Sequence, residues 1–118
     1  MNLTELTGAL EAVSAEYATR WGFRRDGTWF LLKLQEEVGE LTQAYLMQCG
    51  QARSKGLSAD ELQARFRAKL ADVLGHVLLL AHFHGVDLAE EIDRKWLTHL
   101  GSSTGFRSAD SPEFAPPG

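Results

Sequence analysis

Between Ser58 and Gly85 the chain runs for 26 residues without a proline and with a single glycine, Gly75. Wound into a helix, its second half is apolar on nearly every side. Leu70, Val73, Val77 and Leu80 form one stripe, and Leu74, Leu78 and Ala81 form a second. A helix with two apolar faces must be covered on both, which calls for an all-α interior. In a chain of 118 residues one subunit has little left to do the covering, so a homodimer or homotetramer is expected. The boundaries of this helix are also written locally. Ser58 with Glu61 makes a capping box, Gly85 is the natural stop, and the span is roughly 39 Å at about 1.5 Å per residue.

The rest of the chain follows the same period. Leu3, Leu6, Leu10, Val13 and Tyr17 alternate in steps of three and four and predict a helix over residues 3–20, with Asn2 and Glu5 as a capping box. Leu31, Leu34, Val38, Leu41 and Tyr45 predict a second helix over 28–48, and Asp87 with Glu90 opens a shorter fourth to about residue 99. No strand pattern competes. The expected fold is therefore all-α, a four-helix bundle over residues 1–100 completed by oligomerisation. Residues 101–118 hold all three prolines and few large apolar side chains, and are expected to form a flexible C-terminal tail.

Composition narrows the function classes. A net charge of −4 leaves no basic footprint for a nucleic-acid polymer. Cys49 is the only cysteine, which excludes an intrachain disulfide and a cysteine-based zinc site. The opening Met1-Asn2-Leu3-Thr4-Glu5 is unlike a secretion signal. The most apolar stretch is interrupted by Gly75, His76 and His82, short of a membrane span. A cytoplasmic protein without membrane or nucleic-acid partners is expected.

Two groups of carboxylates carry the chemistry. Asp72 sits inside Leu70-Ala71-Asp72-Val73-Leu74, and an unpaired carboxylate buried there would cost several kcal/mol, so it calls for a proton, a partner or a cation. On the second helix Glu36, Glu37 and Glu40 are three and four residues apart and converge on one side. Adjacent carboxylates repel one another without a cation between them. Magnesium takes hard oxygen ligands, keeps several waters and shares its shell with substrate phosphates, which suits such a set; manganese has the same preference. Around it, Arg25 and Lys33 are candidate phosphate contacts and Trp29 a candidate stacking surface for a base. Lys33 also has an ordinary role, as an ion-pair partner one turn from Glu36. His76, four residues beyond Asp72, is read as a hydrogen-bonded residue of a helix interface.

Glu36-Glu37-x-x-Glu40, a spacer of about 28 residues and then x-x-Asp72-Val73-Leu74 resembles the MazG-type all-α nucleoside triphosphate pyrophosphohydrolases. Their motif is Glu-Glu-x-x-Glu, a spacer, and Glu-x-x-Asp. The likeness extends to Leu34 through Ala44, to Leu70 through Ala81, and to Gly85-Val86-Asp87-Leu88 with Lys95 behind it. It implies that Glu37, Glu40 and Asp72 hold magnesium, that Glu36 orients or deprotonates the attacking water, and that Lys95 contacts substrate. The implied reaction converts a (d)NTP and water to a (d)NMP and pyrophosphate, as in nucleotide-pool housecleaning.

One position departs from the pattern. Lys69 stands where the family has the Glu of Glu-x-x-Asp. An ammonium cannot ligate magnesium and repels it; two unit charges about 4 Å apart interact by roughly 4 kcal/mol at an effective dielectric near 20. Three outcomes follow: one metal in place of two, Lys69 as a built-in cation contacting phosphate, or a helical nucleotide-binding or interaction module that has lost turnover. The first expectation is the enzyme, with weakened magnesium affinity that Lys69→Glu restores.

Overall fold

The computed structural model describes residues 1–101, which fall into two compact units, Met1–Val86 and a second beginning at Asp87. The expected tail lies outside the described residues, apart from Gly101. Helix α1 spans Leu3–Trp21, α2 Gly27–Gln48 and α3 Ala59–Phe83 in the first unit. Helix α4, Leu88–Lys95, and a 3-10 segment, Leu97–Gly101, belong to the second. Among the described residues there is no strand, and no helix is long and apolar enough to cross a membrane.

Local chemistry sets the helix ends. The Asn2 side chain accepts the Glu5 N–H at 2.8 Å, and Asp26 accepts that of Trp29 at 2.8 Å. Each satisfies one of the N–H groups that a first turn leaves without a helical partner. Ser58 and Glu61 form both halves of their capping box. Gly22 ends α1 at φ 71°, where its N–H donates to the Ala18 carbonyl. Gly85 follows α3 at φ 68°, a left-handed conformation that strains any side chain. The fourth helix is shorter than expected: Asp87 caps it through the Glu90 N–H, but at Trp96 the backbone leaves the regular path and tightens into the 3-10 segment.

Helices α2 and α3 pack antiparallel. Phe30 near the start of α2 meets Phe83 at the end of α3 with ring centroids 5.0 Å apart, and Tyr45 near the end of α2 meets Phe66 at 5.8 Å. Helix α1 lies against α3, where Leu10 comes nearest to Gly75.

The buried set is small: Ala18, Phe30, Ala44, Met47, Leu62, Leu78, Leu79 and Ala81. This corrects the expected register of α2. Leu31 and Val38 face outward and Tyr45, though it meets Phe66, stays exposed at the edge, while the inward face carries Phe30, Ala44 and Met47 with Leu34, Leu41, Lys33, Glu37 and Glu40 half-buried beside them. The apolar residues of α2 spread over more than one stripe, and the contacts with α3 decide which stripe is covered. Helix α1 is covered less than its pattern implies, since Leu3, Val13 and Tyr17 are exposed. Leu70 and Leu74 also stay exposed on α3, each at the N-terminal end of one of its two apolar stripes.

Candidate functional site

The inward rotation of α2 brings its acidic turn against α3. Glu36, Glu37 and Glu40 each offer a carboxylate oxygen, all within 4.8 Å of one another. Antiparallel packing sets Lys69 directly opposite. Its Nζ is 2.5 Å from Glu40 Oε1, 3.5 Å from Asp72 Oδ2 and 3.8 Å from Glu37 Oε2. The ammonium stands among the three carboxylates that the family resemblance assigns to magnesium. Lys33 pairs with Glu36 at 3.5 Å. The Lys69 hydrogen bond, and then its charge, hold the Glu40 carboxyl below the usual carboxylate range, and the same hydrogen bond raises the Lys69 ammonium above its ordinary value. Four carboxylates face the Lys33 and Lys69 ammoniums here, with the Arg65 guanidinium also acting on Glu40, so the turn keeps a smaller negative excess.

Asp72 corrects an expectation. Its apolar sequence neighbours placed it in the interior, but its side chain is 46 % exposed. Leu70 and Leu74 on either side are exposed as well, so this stretch of α3 faces away from the core of the subunit. Lys69 provides its charge partner, and desolvation no longer demands a metal.

A cavity of about 600 Å³ adjoins the acidic turn through Glu37. Its apolar wall is Leu10, Val13, Tyr17, Phe23, Trp29 and Leu79, and its polar groups are Ser14, Lys33, Glu37 and His76. The aromatic rings form a chain. Phe23 stacks on Trp29 at 5.3 Å with planes 30° apart, Tyr17 meets Phe23 edge-on at 6.0 Å, and the Lys33 ammonium lies 5.9 Å from the centroid of the Trp29 ring. Volume and lining match a small-molecule pocket, mostly apolar with a few placed polar groups. Glu37 Oε2 and His76 Nδ1 are both buried without a hydrogen-bond partner among the described residues.

The expected phosphate contacts are placed differently from one another. Lys33 and Trp29 line the cavity. Arg25 is turned toward α1, where its guanidinium donates to both Glu11 oxygens at 2.9 and 2.6 Å and to Ser14 Oγ at 3.1 Å, with its carbon 5.3 Å from the Phe30 ring centroid. Its hydrogen-bonding capacity is largely taken up in tying the turn after α1 back onto α1. Lys95 ends α4 in the second unit. Sequence reasoning missed Glu11, whose partner lies 14 residues away with no local spacing to betray the pair. It also gave Tyr17 to the core and His76 to a satisfied interface, whereas both line the cavity.

Comparison of the chain with family models, with curated proteins and with solved structures gives no match.

Proposed function

We propose that this chain is a MazG-like nucleoside triphosphate pyrophosphohydrolase that works with a single divalent cation beside a built-in one, Lys69. The observation that supports it is the shared residue. Glu37 belongs both to the acidic turn and to an aromatic-lined cavity of nucleotide-binding dimensions. The donor set suits magnesium or manganese, since Glu36, Glu37 and Glu40 converge and offer hard oxygens only, with Asp72 beside them on Lys69. When bound, such an ion supplies charge neutralisation at the phosphates and lowers the pKa of water. The chain's own groups do the rest. Lys69 and Lys33 present ammoniums to phosphate oxygens, Trp29 and Phe23 hold the base by stacking, and Glu36 accepts a proton from the water that attacks the α-phosphorus. That water forms the new P–O bond, and pyrophosphate leaves with the electron pair of the bond that breaks.

A second copy of the chain belongs to this reading. Leu31, Val38 and Tyr45 on α2, seven residues apart, and Leu70 and Leu74 on α3 are between 37 % and 54 % exposed in one subunit. Apolar stripes of this kind mark helix–helix interfaces.

The position of Lys69 favours one rival, a nucleotide-binding module without turnover, in which the ammonium keeps the cation seat and no divalent ion enters. Pyrophosphate release from a panel of NTPs and dNTPs, with magnesium or manganese, separates the two. The enzyme releases pyrophosphate from at least one nucleotide, and Lys69→Glu, which exchanges the built-in cation for a metal ligand, raises the response of that release to added magnesium. Silence from both proteins across the panel would sink the hydrolase and leave the binding module.

A further inference from the structure

We infer that α1 opens from the α2–α3 pair as a unit of its own, held shut by Arg25, so that one wall of the cavity is a moving part. Such motion belongs to the chain itself, whatever the cavity holds. Of the 19 residues of α1 only Ala18 is buried, and Val13, Tyr17 and Trp21 are each more than half exposed. Every other buried residue among those described belongs to α2 or α3, which share the main interface. The crossing of α1 with α3 is also loosely packed. A methyl group added at Gly75 would meet the Leu10 side chain at 3.7 and 4.0 Å, so it fits without displacing anything. Elements with few buried apolar contacts open at lower free energy than the core that carries them.

Arg25 makes up for the missing burial. It precedes α2, and its guanidinium donates to both Glu11 oxygens and to Ser14 Oγ on α1. Its carbon lies 5.3 Å from the centroid of Phe30, the fully buried ring of α2. One side chain therefore ties α1 to the core. Ser14 also lines the cavity, together with Leu10, Val13 and Tyr17 of the same helix, so the latch and the wall are one stretch of α1. Between α1 and Arg25 stands Gly22, left-handed at φ 71° with open space around it, a residue at a helix end that can absorb a change of direction. Opening breaks the latch and dismantles the wall. A molecule that fills the cavity binds the shut form alone and so holds α1 in place.

Native-state amide hydrogen exchange reads this motion directly, on the full chain at fixed concentration and in rising urea below the unfolding transition. In wild type the amides of residues 14–18 are expected to exchange about a hundredfold faster than those of Ala44, Met47 and Leu78. Their rates should depend little on urea, since opening α1 exposes little surface. Two variants then separate the helix from the core. Phe66→Ala removes the ring that meets Tyr45 across α2 and α3, and so weakens that pair whether α1 is shut or open. It should speed exchange at Ala44 and Leu78 about tenfold or more and leave residues 14–18 unchanged. Arg25→Met weakens the shut form alone and should speed both sets. Equal protection and equal urea slopes in wild type, residues 14–18 accelerated along with the core by Phe66→Ala, or wild-type exchange in Arg25→Met each overturn the inference. Should Phe66→Ala fail to fold, the urea slopes of the wild-type chain decide.

Discussion

Arg25 was a candidate phosphate contact by sequence, and the structure gives it a different partner whose worth can be measured. Arg25→Met keeps the length of the side chain and removes two hydrogen bonds to Glu11, one to Ser14 and the charge beside Phe30. The pair is neither fully buried nor free, with Arg25 at 15 % and Glu11 at 28 % side-chain exposure. Exposed pairs contribute up to about 1 kcal/mol, while breaking a buried pair costs about 3–5; solvent screening at this intermediate site places the loss near 2 kcal/mol. The sign of the pH dependence follows from Glu11. Its hydrogen bond to Arg25, outweighing the opposing effect of burial, lowers its carboxyl pKa on folding. That contribution is present above the unfolded carboxylate pKa and is lost as pH falls through the lowered folded value. Urea unfolding at fixed protein concentration, at pH 7 and again below pH 4, should therefore show a difference between wild type and Arg25→Met that shrinks on acidification. Glu11→Gln in the same background should cost much less than it does in wild type, as coupled partners require. A variant as stable as wild type at pH 7, with weakened nucleotide binding, would refute the structural role and return Arg25 to the phosphates.

Lys69→Met vacates the position among Glu37, Glu40 and Asp72, so calorimetric titration should show tighter magnesium and manganese binding than in wild type; unchanged affinity would mean that the ammonium does not compete with the ion. Leu70→Glu with Leu74→Glu places charge on the exposed apolar patch of α3. Sedimentation velocity should then report a smaller species than wild type, and identical profiles would remove this patch from any interface.

What could be read from sequence divides along a physical line. Helix ends depend on residues three or four apart, so the Asn2 half of the box expected with Glu5, the full box of Ser58 with Glu61, the Asp87 cap at Glu90 and the stop at Gly85 were legible. The rotation of a helix about its axis depends on what packs against it. Helix α2 has apolar side chains on more than one face, and only contact with α3 selects Phe30, Ala44 and Met47 over Leu31 and Val38. The same selection turns Glu37 and Lys33 toward the interior. Asp72 failed for a related reason, since apolar neighbours in sequence are not apolar neighbours in space. The conflict between Lys69 and a cation site was legible as a charge of the wrong sign. Its resolution, one ammonium shared by three carboxylates from two helices, required the antiparallel register.

Lys69 differs from a dissolved cation in one respect that concentration makes plain. A dissolved cation occupies a site according to how much of it the surroundings supply, and leaves when a chelator removes it. An ammonium on a four-carbon tether can do neither. Its effective concentration at Glu40 is fixed by the backbone, on the order of millimolar or higher by the usual arithmetic of tethered groups. The acidic turn therefore keeps a counter-charge through every fluctuation of metal supply, and any free divalent ion meets a competitor that never dilutes.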